Sequence, residues 1–139
     1  MYNLFVMCGS PGAGKTTISK TIEHEYNAVR YSFDEMRCLR HKELIPHIIE
    51  SLQNDKSVVV DALYDRTIFR QEILQATDQL ECKRILVYVN TELSECIRRN
   101  FNRETQLPVS MVESIYRTFE PPVIDEGWDE IIKVCYPSA

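Results

Sequence analysis

Glycine is scarce in this chain. It has four among 139 residues, and three of them fall between Gly9 and Gly14. There is no Gly/Ser-rich linker, internal repeat or low-complexity tract, which excludes a string of small tethered units. The length then predicts one domain over residues 1–139. No apolar run approaches the ~20 residues a helix needs to cross a bilayer. The first residues lack a basic stretch followed by an apolar core and a small-residue cleavage site, so no signal peptide is expected. Basic charge is also short, with 16 Lys and Arg against 21 Asp and Glu, a net charge of −5 and a pI near 5.2. That balance gives no general basic footprint for nucleic acid or acidic membranes. The five cysteines (Cys8, Cys38, Cys82, Cys96, Cys135) include no Cys-x-x-Cys pair, which excludes zinc or redox sites of that spacing. Cys8 and Cys135 lie in apolar runs and read as buried thiols. The expectation is a soluble, cytoplasmic protein in a reducing compartment, with no membrane partner.

What is present is alternation between short β-like apolar runs and longer helical stretches, the pattern of an α/β protein with a parallel sheet. Strands are predicted over residues 2–8, 29–32, 56–62, 84–90 and 130–136. Helices are predicted over 15–26, 34–54, 67–80, 92–102 and from about 109 to 119. Pro46 should kink or split the second helix. Together these predict an α/β fold of three layers, a five-stranded parallel sheet flanked by helices. Trp128, Tyr116 and Phe119 read as packing residues, and His24, His41 and His47 as surface residues.

The clustered glycines belong to Gly9-Ser10-Pro11-Gly12-Ala13-Gly14-Lys15-Thr16, which follows a predicted strand and opens a helix. That is the context in which a Gly-x-x-x-x-Gly-Lys-Thr segment cradles phosphates. Its backbone N–H groups turn inward and the helix N-terminus favours anions. Lys15 would bridge the β and γ phosphates of ATP, and the Thr16 hydroxyl would ligate Mg²⁺. The loop alone does not say what is done with the nucleotide. No Asn-Lys-x-Asp segment for guanine is present, and the length leaves no room for the lid subdomain of an AAA-type ATPase, so small kinases remain.

A kinase needs an acceptor-activating carboxylate and cations on the transferring group. Asp34 follows the second strand, where open α/β sheets place ligands, and would take the proton of an attacking hydroxyl. A plain helix N-cap would also explain an Asp there. Arg37, three residues on, would share its helical face and hold an acceptor phosphate. Asp61, ending Val58-Val59-Val60-Asp61, suits contact with Mg²⁺ through water, or with the acceptor. Of Arg98, Arg99 and Arg103, one would close over ATP, while a basic helix end explains at least one of the others. Arg66 and Arg70 read equally as acceptor contacts or exposed cations.

On these residues the chain resembles the kinase domain of bacteriophage-type polynucleotide kinases and the wider group of small P-loop kinases around it. The shared stretches are Gly9 to Thr17, Asp34-x-x-Arg37, Val60-Asp61-Ala62, Arg99 to Arg103, Leu107-Pro108, Met111 to Phe119, and Phe119-Glu120-Pro121-Pro122 with Glu126 to Ile131. The resemblance implies a three-layer P-loop NTPase fold like that of nucleoside kinases, in which the loop to Thr17 holds ATP, with Lys15 and Thr16 on phosphates and metal. It further implies Asp34 as general base, Arg37 beside the acceptor hydroxyl, Asp61 next to the acceptor, and Arg103 as the lid arginine on ATP. The acceptor in that family is the 5′-hydroxyl of nucleic acid. Two departures stand out. Leu63-Tyr64 replaces the family's usual Thr-Asn, and no Asp-x-Asp-Gly-Thr phosphatase motif or ligase domain follows. A kinase of small molecules or aminoacylated tRNA, and a non-catalytic ATP-binding module, are the alternatives.

Overall fold

The structure, a computed structural model, describes residues 2–104 and 106–136. Five strands, β1 (Tyr2–Cys8), β2 (Val29–Ser32), β3 (Val58–Asp61), β4 (Cys82–Thr91) and β5 (Glu130–Tyr136), form one parallel sheet in the order β2-β3-β1-β4-β5. The centre of the sheet is apolar, with Leu4 to Cys8 of β1, Val58 to Val60 of β3 and Ile85 to Val87 of β4 buried, because helices cover both faces. Val58, Val59 and Val60 are fully buried, and each such side chain contributes about 1.5–3 kcal/mol relative to exposure.

On one face lie α1 (Lys15–Glu25) and α4 (Leu93–Phe101), packed through Ile18, Ile22, Cys96 and Ile97 onto Phe5, Met7 and Val87. On the other lie α2 (Ile45–Gln53) and α3 (Thr67–Ala76), whose Ile48, Leu52, Ile73 and Leu74 meet Leu4, Val6 and Trp128. A fifth helix, α5 (Val109–Thr118), contributes Val112 to the first core, while Phe119 just beyond it packs on the second.

The three-layer expectation holds, and Trp128 is buried as expected. The stretch 34–54 differs from the expected single helix. Residues 33–36 make one turn that closes at once: Arg37 takes a positive φ of 55°, its N–H donates to Asp34 O (3.1 Å), and Cys38 N–H returns to Phe33 O (3.0 Å). This pair of bonds around a left-handed residue is the Schellman way of ending a helix. A 3₁₀ turn, His41–Leu44, follows, and Pro46 sits in the first turn of α2, where its missing N–H costs nothing. Cys135 is exposed rather than buried, because β5 is an edge strand with one open face.

His41 is no surface residue. Its ring stacks on Phe69 (centroids 4.3 Å apart), and Nε2 accepts the Tyr64 N–H at 3.2 Å. Burial pushes its pKa down, against the pull of Asp65, and the neutral ring can accept that bond.

Candidate active site

The loop between β1 and α1 is held from three sides. Gly9 N–H donates to Leu63 O (3.0 Å) after β3. The Ala13 carbonyl accepts from Thr91 Oγ1 (2.7 Å) at the end of β4 and from Arg99 Nη1 (2.8 Å) on α4. Arg99 is itself fixed, with Nε on Glu95 at 3.0 Å and its guanidinium 4.7 Å above the Tyr136 ring. Glu95, bonded to Arg98 and Arg99, has its pKa drawn down to about 2.

Positive φ angles at Gly12 (80°) and Gly14 (107°) shape the loop. A Cβ at Gly12 would stand 2.5 Å from the Cys96 carbonyl oxygen. Gly12→Ala is therefore expected to destabilise the fold by about 1–3 kcal/mol through backbone strain and this contact. Urea unfolding of the two proteins measures it, and equal midpoints would show that the loop relaxes freely.

Gly14 begins α1 without a side-chain cap, and the N–H groups of Gly12, Gly14, Lys15 and Thr16 find no backbone acceptor among the described residues. A ring of unpaired donors at a helix start fits a phosphate chain. Lys15 is buried, and its Nζ donates to Ser10 O at 2.9 Å. Burial lowers its pKa, with Asp61 opposing the shift. Ser10 and Pro11 are buried, while Thr16 and Thr17 are exposed on the first turn of α1. The Thr16 hydroxyl is thus available to a cation bound with the phosphates. Among the described residues no cluster of three or more acidic, His or Cys side chains could cage a metal alone. This suits Mg²⁺, which keeps most of its shell as water and phosphate.

Asp34 lies on the open turn after β2, its side chain 79% exposed, with Arg103 Nη2 3.5 Å from Oδ2. The sequence placed these two residues 69 positions apart on separate elements, and the fold brings them face to face across the loop end of the sheet. Arg37 shares the Asp34 turn but not a helical face with it, a correction that follows from the Schellman closure described above.

Asp61 is buried and engaged. Its Oδ2 accepts from Arg30 Nη2 (2.7 Å) and Ser19 Oγ (3.1 Å). Only Oδ1 is left for metal-bound water or an acceptor, so the residue fits a cation in part. Arg30 was not singled out from the sequence, although a cation inside a short strand flanked by apolar residues was a usable signal. Arg70 is no acceptor contact. It is fully buried and bonded to Glu126, Tyr64 O and Thr67. Arg66 pairs at the surface with Glu120. A cavity of about 170 Å³ opens between Ser10, the end of β4 (Tyr88 to Thr91), and Tyr116, Phe119 and Pro121. Tyr116 thus lines a space at the loop, and Phe119 lines it while also packing on the second core.

A family model described as an AAA domain, AAA_33, matches residues 4–122, which run from within β1 through α5 and take in the phosphate loop, Asp34, Asp61 and Arg103. The chain belongs to this family of P-loop kinases. The family's description is wider than the sequence expectation, which set AAA-type ATPases aside on length alone. This P-loop kinase is 23% identical over 143 aligned positions to the L-seryl-tRNA(Sec) kinase of Methanococcus maripaludis, covering 91% of the present chain and 56% of that relative. It therefore spans little more than half of the curated relative it matches. Its fold is similar to that of Kti12 from Chaetomium thermophilum, solved with ADP-AlF3, with a TM-score of 0.83, 14% identity, and coverage of 96% of this chain and 89% of the other. A fungal RNA kinase matches with a TM-score of 0.74, 19% identity, and coverage of 95% and 73%.

Proposed function

We propose that this kinase transfers the γ-phosphate of ATP to the 5′-hydroxyl of a polynucleotide. The observation that carries the reading is the Asp34 carboxylate, exposed on an open turn and facing Arg103 across the loop. Three features support it: the family, the short and uninserted segment between Asp34 and α2, and the resemblance of the motif order to polynucleotide kinases. A short segment leaves the acceptor side open, which suits a bulky substrate better than an enclosed small one.

In this reading the Asp34 carboxylate takes the acceptor proton as the hydroxyl oxygen bonds to the γ-phosphorus. The bond from that phosphorus to the β–γ bridging oxygen breaks, and ADP leaves. Lys15 and the loop amides hold the phosphates, Arg103 lies over the transferring group, and Arg37 meets a phosphate of the acceptor. The Thr16 hydroxyl would hold Mg²⁺, which would supply charge neutralisation on the phosphates. The unpaired cysteines are consistent with work in the cytoplasm.

Asp34→Ala is expected to slow transfer by about 10²–10⁴-fold while ATP binds nearly as before. The assay is label transfer from γ-labelled ATP to 5′-hydroxyl DNA and RNA oligonucleotides, with nucleotide binding measured separately. Transfer near the wild-type rate would remove Asp34 as the base.

A second reading, a kinase of tRNA-linked or small acceptors, is favoured by Leu63-Tyr64. Tyr64 is buried with a φ of 44° and its hydroxyl unpartnered, so the family's Thr-Asn contacts are missing there. The name of the archaeal relative points the same way. ATP binding without label on any oligonucleotide would turn the work to aminoacylated tRNA and small hydroxyl compounds. A non-catalytic ATP-binding module would show no acceptor-dependent ATP turnover at all.

A further inference from the structure

We infer that Arg30 is a positioning residue that locks the turn carrying Asp34 to Asp61 and to α1, making Asp61 an anchored, charge-neutralised group instead of a free metal ligand. The register of β2 on β3 sets Ser32 opposite Asp61, so Arg30, two residues earlier, points to the same face and reaches α1. Its side chain is only 7% exposed, and all three of its nitrogens are used. Nε donates to Ser19 Oγ (2.8 Å), Nη2 to Asp61 Oδ2 (2.7 Å), and Nη1 to Glu35, the neighbour of Asp34.

A buried cation so completely paired is fixed in place, because each lost partner leaves a desolvated charge. Ser19 extends the chain of contacts toward the metal side, since its hydroxyl also lies 2.9 Å from the carbonyl of Thr16. Arg30 thereby ties together the turn of Asp34, through Glu35, the buried Asp61 and, through Ser19, α1. It also lowers the pull of Asp61 on a cation, by taking one carboxylate oxygen and by adding a positive charge beside it.

The transfer readout rests on the proposed kinase reaction, but two other readouts do not. The full chain carrying Arg30→Met, Arg30→Lys or Glu35→Gln is compared with wild type. Amide exchange over residues 33–38 should quicken about tenfold or more in Glu35→Gln and Arg30→Met, as the turn loses its tie. The ratio of Kd for a fluorescent ATP analogue in EDTA to that in Mg²⁺ should rise about fivefold in Arg30→Met, because the freed Asp61 repels nucleotide and attracts the cation. Arg30→Lys should restore the ratio but not the exchange, and Glu35→Gln should leave the ratio unchanged. With an accepted oligonucleotide, Glu35→Gln should lower kcat about tenfold at constant KM for ATP.

Unchanged exchange in Glu35→Gln, or an unchanged ratio in Arg30→Met, overturns the inference. Glu35 is exposed, so its variant should fold even where Arg30→Met does not. Exchange and ratio effects without transfer by any protein, wild type included, would sink the acceptor reading and leave this one standing.

Discussion

Lys15→Ala is expected to cut phosphoryl transfer by about 10³-fold or more, through loss of the cation that sits where charge develops on the phosphates. The side chain is buried and its amine is held 2.9 Å from Ser10 O, inside the curve of the loop it would serve. Its loss should not unfold the protein. Asp61, the carboxylate nearest in charge, keeps Arg30 and Ser19 as partners. A thermal melt within a few degrees of wild type, beside a lost single-turnover signal, would assign the defect to chemistry. Transfer within tenfold of wild type would mean that another cation neutralises the phosphates.

Arg70→Met is expected to destabilise the fold by about 3–5 kcal/mol, the usual result of stripping one partner from a buried ion pair. Arg70 has no exposed surface, and Glu126, whose side chain is 5% exposed, would be left without its cation. The Trp128 and Val123 N–H groups would remain on Glu126, and two neutral donors are too little for a carboxylate at that depth. The penalty should depend on pH. Burial raises the pKa of Glu126, but its bonds to Arg70, Trp128 and Val123 outweigh that, and the net direction is downward. In the wild type the pair therefore stabilises above the ordinary carboxylate pKa of about 4.3 and weakens as pH falls through the lower folded value. In the variant, burial without Arg70 reverses the shift, so acid should relieve the defect. Urea unfolding at several values from pH 7 downward should show the gap between the proteins closing. A gap that holds constant would place the cost in packing instead of charge.

The phosphate loop and all five strands could be reached from the sequence for local reasons, and Asp34 and Arg103 could be singled out there, although not their meeting across the loop. Glycine spacing, apolar runs and strand-ending carboxylates each carry their meaning within a few residues. What was missed depends on partners far along the chain. Arg30 meets Asp61 because two parallel strands lie in register, and no local pattern encodes which strand will be the neighbour. Arg70 read equally as an acceptor contact or an exposed cation, because its partners, Tyr64 O and Glu126, arrive from a loop and from a turn 56 residues later. The helix expected after Asp34 failed on one residue. Arg37 carries no glycine-like signal for a left-handed conformation, yet it takes one and ends the turn. His41 was legible only once Phe69 and Tyr64 were known to enclose it.

The strand order has one more consequence. β1 divides the sheet, so the residues bracing the loop from one side, Thr91 and Arg99, come from β4 and α4, while Asp34 and Asp61 come from β2 and β3 on the other. The two halves are joined at the loop, at the Asp34–Arg103 contact, and where Arg66, just before α3, and Arg70 on it pair with Glu120 and Glu126. A mutation behind β2 that spares these joints is expected to leave the bracing on the β4 side undisturbed. A change at Leu63-Tyr64 would then alter one flank of the site while Thr91 and Arg99 go on holding the Ala13 carbonyl from the other.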